Sequence, residues 1–124
     1  MGETYDELPL VYSCSGCSSA AQMANDLAVS LDRERVAEMS CIAGVGGDVL
    51  PLVNTATSGR QIVALDGCPL ECARHSLEQH DVTPDLHYDL SKKGVKKEYH
   101  EDYDPEQADE IRAELIGDIE RQFP

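Results

Sequence analysis

The sequence predicts a single α/β domain, three layers thick, in which a mainly parallel sheet of about four strands lies between two layers of helices. Three observations predict it. Short β-prone apolar runs alternate with segments whose apolar residues recur at helical spacing along the whole chain. At 124 residues the chain has the size of one domain around one core. Its 41% hydrophobic residues, with one Phe, five Tyr and no Trp, suit a compact aliphatic interior better than a disordered acidic tail.

The first strand is predicted over residues 8–13, an apolar run fit for burial on both faces. It leads straight into Cys14-Ser15-Gly16-Cys17. Ala20, Ala24, Leu27 and Leu31 then mark a helix, with Ser19 and Gln22 as its capping box. A second strand is predicted over 36–43, ending near Cys41 and emptying into a flexible Gly44-Val45-Gly46-Gly47 turn. A short helix over 48–57 follows, with Pro51 tolerated because it falls in the first turn. The third strand, 61–65, ends at Asp66-Gly67-Cys68. Pro69 is placed as the first residue of the next helix, whose buried stripe is Leu70, Ala73 and Leu77. A fourth strand over 86–90 reaches the basic segment Lys92-Lys93-Gly94-Val95-Lys96-Lys97. After an acidic linker, Asp104 caps a last helix that begins at Pro105 and presents Ala108, Ile111, Leu115 and Ile119 on one face.

The charge narrows the function. With 24 acidic against 10 basic residues the formal net charge is -14, and a broad nucleic-acid or anionic-membrane surface would have to overcome that repulsion. This acidity fits an ordinary acidic cytosolic protein or one adapted to high salt. No apolar run approaches the roughly 20 residues that span a bilayer. Residues 1–7 are acidic where a signal peptide is basic, so a cytoplasmic location is expected.

Five cysteines in a reducing compartment, an odd count, point to metal binding or thiol chemistry rather than a disulfide framework. Right-handed crossovers gather the loops that leave parallel strands on one edge of the sheet. Cys14, Cys41 and Cys68 each fall at or just past a predicted strand end. Cys72 follows Cys68 by one helical turn, and Cys17 closes a C-x-x-C with Cys14. Helix N-termini favour thiolates at Cys17, Cys68 and Cys72. Four soft sulfurs suit Zn²⁺, and an iron–sulfur cluster uses the same ligands. The bland alternative, strongest for Cys41, is a small buried hydrophobe.

The segments Tyr12-Ser-Cys14-Ser-Gly, Met39-Ser-Cys41-Ile-Ala-Gly-Val-Gly-Gly47, Asp66-Gly-Cys68-Pro-Leu-Glu-Cys72-Ala-Arg74 and Gly94-Val-Lys-Lys97 resemble the DGC-motif family of zinc-binding proteins. The likeness covers nearly the whole chain, and the block holding Cys68 and Cys72 is its most specific part. The resemblance implies a metal site of four cysteines, best matched here by Cys14, Cys41, Cys68 and Cys72. Cys17 would then be a free thiol, exchange with Cys41, or complete the site if Cys41 is core.

Asp66 is read as the cap of the helix after Cys68, or else as a hydrogen-bond acceptor behind the ligands. His75 is read as an exposed helical residue, and His80, His87 and His100 receive no role. Lys92, Lys93, Lys96 and Lys97 form a solvated loop or a dock for an acidic partner or phosphorylated ligand. The leading function is a small zinc-binding protein with a structural, sensing or metal-handling role, because four sulfurs leave zinc no open position for hydrolysis. Alternatives are a thiol redox enzyme using Cys14 and Cys17, with Cys68 and Cys72 as a resolving pair, and an iron–sulfur electron-transfer protein. A phosphate-loop cysteine enzyme needs an Arg six positions after Cys14, where this chain has Ala20.

Overall fold

The computed structural model describes residues 4–124, so the first three residues of the acidic N-terminal stretch lie outside the described part. Four strands, β1 (Leu10–Ser13), β2 (Glu38–Met39), β3 (Ile62–Asp66) and β4 (Leu86–Asp89), form one sheet in the order β2-β1-β3-β4. Every pairing is parallel: Val11 lies opposite both Met39 and Val63, and Asp66 opposite Asp89.

Alternation along the two central strands sends neighbouring side chains into different layers. Val11, Val63 and Leu65 pack with Met23, Leu27 and Leu31 of α1 (Ser19–Arg33) and with Ile111, Leu115 and Ile119 of α5 (Pro105–Gln122). Leu10, Tyr12, Ile62 and Ala64 pack the other way, against Val45 of α2 (Ile42–Gly46), Ala56 of α3 (Leu50–Ala56) and Leu77 of α4 (Cys72–Glu78). Both faces of β1 and β3 are therefore buried, which is why these strands are mostly apolar up to the Ser13 and Asp66 that end them. The three-layer α/β class stands.

Several boundaries differ from expectation, each for a local reason. Ser18, not Ser19, caps α1, its Oγ accepting from the Ala21 amide at 3.1 Å. Gln22 instead donates from Nε2 to the Gly16 carbonyl. The long second strand shrinks to Glu38–Met39, so Cys41 is the residue before α2 rather than part of a strand. The supposed glycine turn is helical. Gly44 belongs there because a Cβ would lie 1.9 Å from Leu52 Cδ1, so α2 and α3 meet through its bare backbone. Pro69 does not start α4: Glu71 takes a left-handed conformation (φ 52°) and the helix begins at Cys72. α5 is capped as expected, Asp104 Oδ1 accepting from the Glu106 amide at 2.9 Å.

Among the described residues no helix is long and apolar enough to cross a membrane.

Candidate functional site

The chain leaves β1 towards β2 on one side and returns with β3 on the other, so the direction of winding reverses between β1 and β3. Open α/β sheets form a crevice at the carboxyl ends of the two strands flanking such a reversal. Here that crevice is a cleft of about 150 Å³ lined by Cys14, Cys17, Cys68 and Cys72. Cys14 follows the last residue of β1 and Cys68 comes two residues after β3. Cys41 does not line the cleft. It sits exposed just past the end of β2, on the outer side of β1 and so on the flank away from the reversal.

Asp66, Gly67 and Cys68 each serve a separate purpose. Asp66 is 1% exposed, and its carboxylate accepts from the Ala73 amide at 2.8 Å and the Arg74 amide at 3.2 Å. It thus satisfies two orphan donors of α4 from a distance and fixes where Cys72 emerges. Gly67 presses on the first turn of α1: a Cβ would lie 2.6 Å from the carbonyl carbon and oxygen of Ala20. Its amide donates to Cys14 Sγ at 3.2 Å, and Cys68 faces the cleft.

His87, assigned no role from sequence, joins this frame. Its Nε2 is 2.9 Å from Asp66 Oδ2, and its Nδ1 is 3.9 Å from Glu71 Oε2. The 21-residue separation from Asp66 hides the pairing, which only the β3–β4 register reveals. Arg74 braces the same turn, pairing with Glu71 at 2.6 Å and Glu78 at 2.8 Å. His75 is exposed, and His80 lies outside the cleft, bound to the Val45 carbonyl at 2.8 Å.

Burial pushes the Cys14 thiol up to about 11, and its amide donor, Gly67, offsets only part of that rise. Asp66, Cys72 and Cys68 add to it, because each disfavours a second negative charge nearby. Lys97 reaches in from the other side, Nζ standing 3.5 Å from Cys68 Sγ. Hydrogen bonding, first with Tyr99 and then with Cys68, holds its ammonium above the usual range. Leu70 and Tyr99, 63% and 56% exposed, give the cleft an apolar rim.

Lys93 is also engaged, pairing with Glu114, so the basic segment is not a free solvated loop throughout. A larger cavity of about 500 Å³ lies between α1, the 94–104 segment and α5, but its walls are acidic and carry no thiol.

The donor chemistry of the cleft suits a soft cation. Its spacing is open: among the described residues no three His, Cys, Asp or Glu groups stand close enough together to hold a metal ion. All five cysteines are free thiols.

An α/β domain with four of its five thiols lining the switch point of a parallel sheet is the class defined by this geometry. Residues 10–115 match the DGC domain, and the chain belongs to that family. A relative from Pseudomonas aeruginosa, named as the anaerobic and virulence modulator AnvM, is 61% identical over 110 residues, covering 89% of this chain and 84% of its own length. No solved structure matches the chain.

Proposed function

We propose that the protein holds a soft divalent cation, Zn²⁺ first among them, through Cys14, Cys17, Cys68 and Cys72, in a sensing or metal-handling role. One observation carries this reading: two loops far apart in the sequence deliver four thiols to one cleft of about 150 Å³. Closing the ligand shell falls to side-chain rotation, since Cys17 and Cys72 are exposed and Cys14 and Cys68 only partly buried. Bound zinc would supply a tetrahedral anchor between the loops. Four sulfurs saturate it, which supports a non-catalytic role. The resemblance of sequence favours Cys41 as a ligand; the position of Cys17 on the cleft wall supports exchanging the two.

The name of the Pseudomonas relative speaks of anaerobic and virulence modulation. Carried to this chain, it supports sensing over a purely structural site. Thioredoxin-like use of Cys14 and Cys17 is less well supported, because burial raises the Cys14 thiol and, unlike a metal site, a redox pair would bring no cation to offset that rise.

The test is elemental analysis of protein purified without chelators, paired with its visible spectrum. About one zinc per chain with no visible absorbance is expected. Iron with sulfide and a coloured product replaces zinc by a cluster on the same thiols. Substoichiometric metal of every kind ends the proposal.

A further inference from the structure

The basic segment does more than decorate the surface. Residue Tyr99 bridges antiparallel to Ser18, and Ser19 then fastens the segment to the start of α1 three times over. Its amide donates to the Glu98 carbonyl at 2.8 Å, its Oγ accepts from the Glu98 amide at 3.0 Å, and the hydroxyl donates to the Lys96 carbonyl at 3.2 Å. Ser19 is 2% exposed, so these bonds are shielded from water. Residues 96–99 are thus a strap fixed to the helix that borders the cleft. They carry Lys97 to 3.5 Å from Cys68 Sγ and 5.7 Å from the centroid of the Tyr99 ring.

We propose that Lys97 is the charge-compensating donor of the thiol cleft, and that the strap regulates how readily Cys68 reacts with electrophiles once the site is loaded. This inference rests on the metal-binding reading above. Four thiolates around a dication leave two net negative charges, in a cleft whose other walls include Leu70, Ala21 and the Tyr99 ring. On a chain of net charge -14, cations near the site are scarce. An N–H directed at a thiolate draws off electron density, which steadies the metal–sulfur bond and lowers the nucleophilicity of that sulfur. Gly67 does this for Cys14 through its backbone, and Lys97 does it for Cys68 through a side chain that the strap holds in place. Among the described residues neither Cys17 nor Cys72 has a comparable donor. Lys97 is therefore a positioning residue whose withdrawal exposes one chosen sulfur.

The experiment compares zinc-loaded wild type with Lys97→Met, Lys97→Arg and Ser19→Ala. Zinc content is measured for each, and mass spectrometry reads iodoacetamide alkylation at each cysteine. Lys97→Met is expected to alkylate at Cys68 about tenfold faster, with Cys72 changed less than about twofold. Lys97→Arg should return Cys68 close to the wild-type rate. Ser19→Ala should give a smaller rise at Cys68 by loosening the strap rather than removing the donor. Full zinc stoichiometry with an unchanged Cys68 rate in Lys97→Met overturns this inference alone, and so does an equal rise at Cys72. Wild-type protein that takes up no zinc removes the metal-binding reading and this inference with it.

Discussion

The turns after β1 and β3 share ingredients with the turn after β2: a parallel strand stops, a cysteine follows within two residues, glycine is close at hand, and a helix comes next. Yet the β1 and β3 turns face each other across a cleft, while the β2 turn hangs outside β1 with Cys41 exposed. The difference teaches that local motif supplies a thiol at the sheet edge, whereas strand order decides which thiols can share a ligand. The two glycines differ in the same way. Gly67 meets backbone that cannot yield, and Gly44 meets the end of a leucine side chain.

The harshest way to break the comparison is therefore a methyl group at each glycine. Gly67→Ala is expected to destabilise by on the order of 4 kcal/mol or more, since it drives Cβ into the Ala20 carbonyl. Gly44→Ala should cost about 1–3 kcal/mol, because Leu52 can shift. Urea unfolding of both variants checks the order, and a Gly44→Ala cost equal to that of Gly67→Ala would erase the distinction.

A second contrast is chemical. Cys68→Ser and Cys72→Ser should each drop zinc well below one per chain, while Cys41→Ser should keep it. Elemental analysis decides, and loss of zinc from Cys41→Ser would move the site to the other flank of β1.

The third sharpens the comparison through reactivity. With its thiol raised from 9 to about 11, Cys14 in metal-free protein should hold about a hundredfold less thiolate at pH 8 than an unperturbed cysteine. Its alkylation should lag accordingly, and exposed Cys41 should be modified far sooner. The linked stability has a definite sign. The neutral thiol is favoured in the folded state, so its contribution is complete below pH 9 and is lost as pH rises through about 11. Cys14→Ala should flatten the alkaline limb of a stability profile over that window.

The smallest effect is at His87, on the cleft's side of the comparison. His87→Phe removes the bond to Asp66 and should cost about 1 kcal/mol, seen as a modest fall in thermal midpoint.

Much of the architecture was legible because strand and helix periodicities switch cleanly at 10–13, 19–33, 62–66 and 105–122. The region around 36–47 misled for a physical reason: Met39, Ile42 and Val45 suit a strand by propensity, and Gly44 and Gly46 suit a turn. Tertiary packing overrides both, since α2 lies against α3 with the Leu52 side chain filling the space a Cβ at Gly44 would take. Pro69 suggested a helix start on sound grounds, but Asp66 supplies the cap to Ala73 and Arg74 instead, moving the start to Cys72. Of the three strand-end thiols, Cys14 and Cys68 line one cleft and Cys41 does not, while Cys17 and Cys72 join it from the adjoining turns. Separating Cys17 from Cys41 required knowing the strand order, which no local pattern encodes. The pairings of His87 with Asp66 and of Lys97 with Cys68 were hidden because the partners lie 21 and 29 residues apart, and Lys97 stood out only as part of the basic segment.

The bare backbone at Gly67 leaves no cushion between the sulfur of Cys14 on one side and the opening turn of α1 on the other. Behind that turn α1 runs on for 15 residues and packs against α5 through Leu27 and Leu31. Any crowding at this corner of the sheet would therefore fall first on the packing of α1 against α5, the half of the core that Gly67 borders.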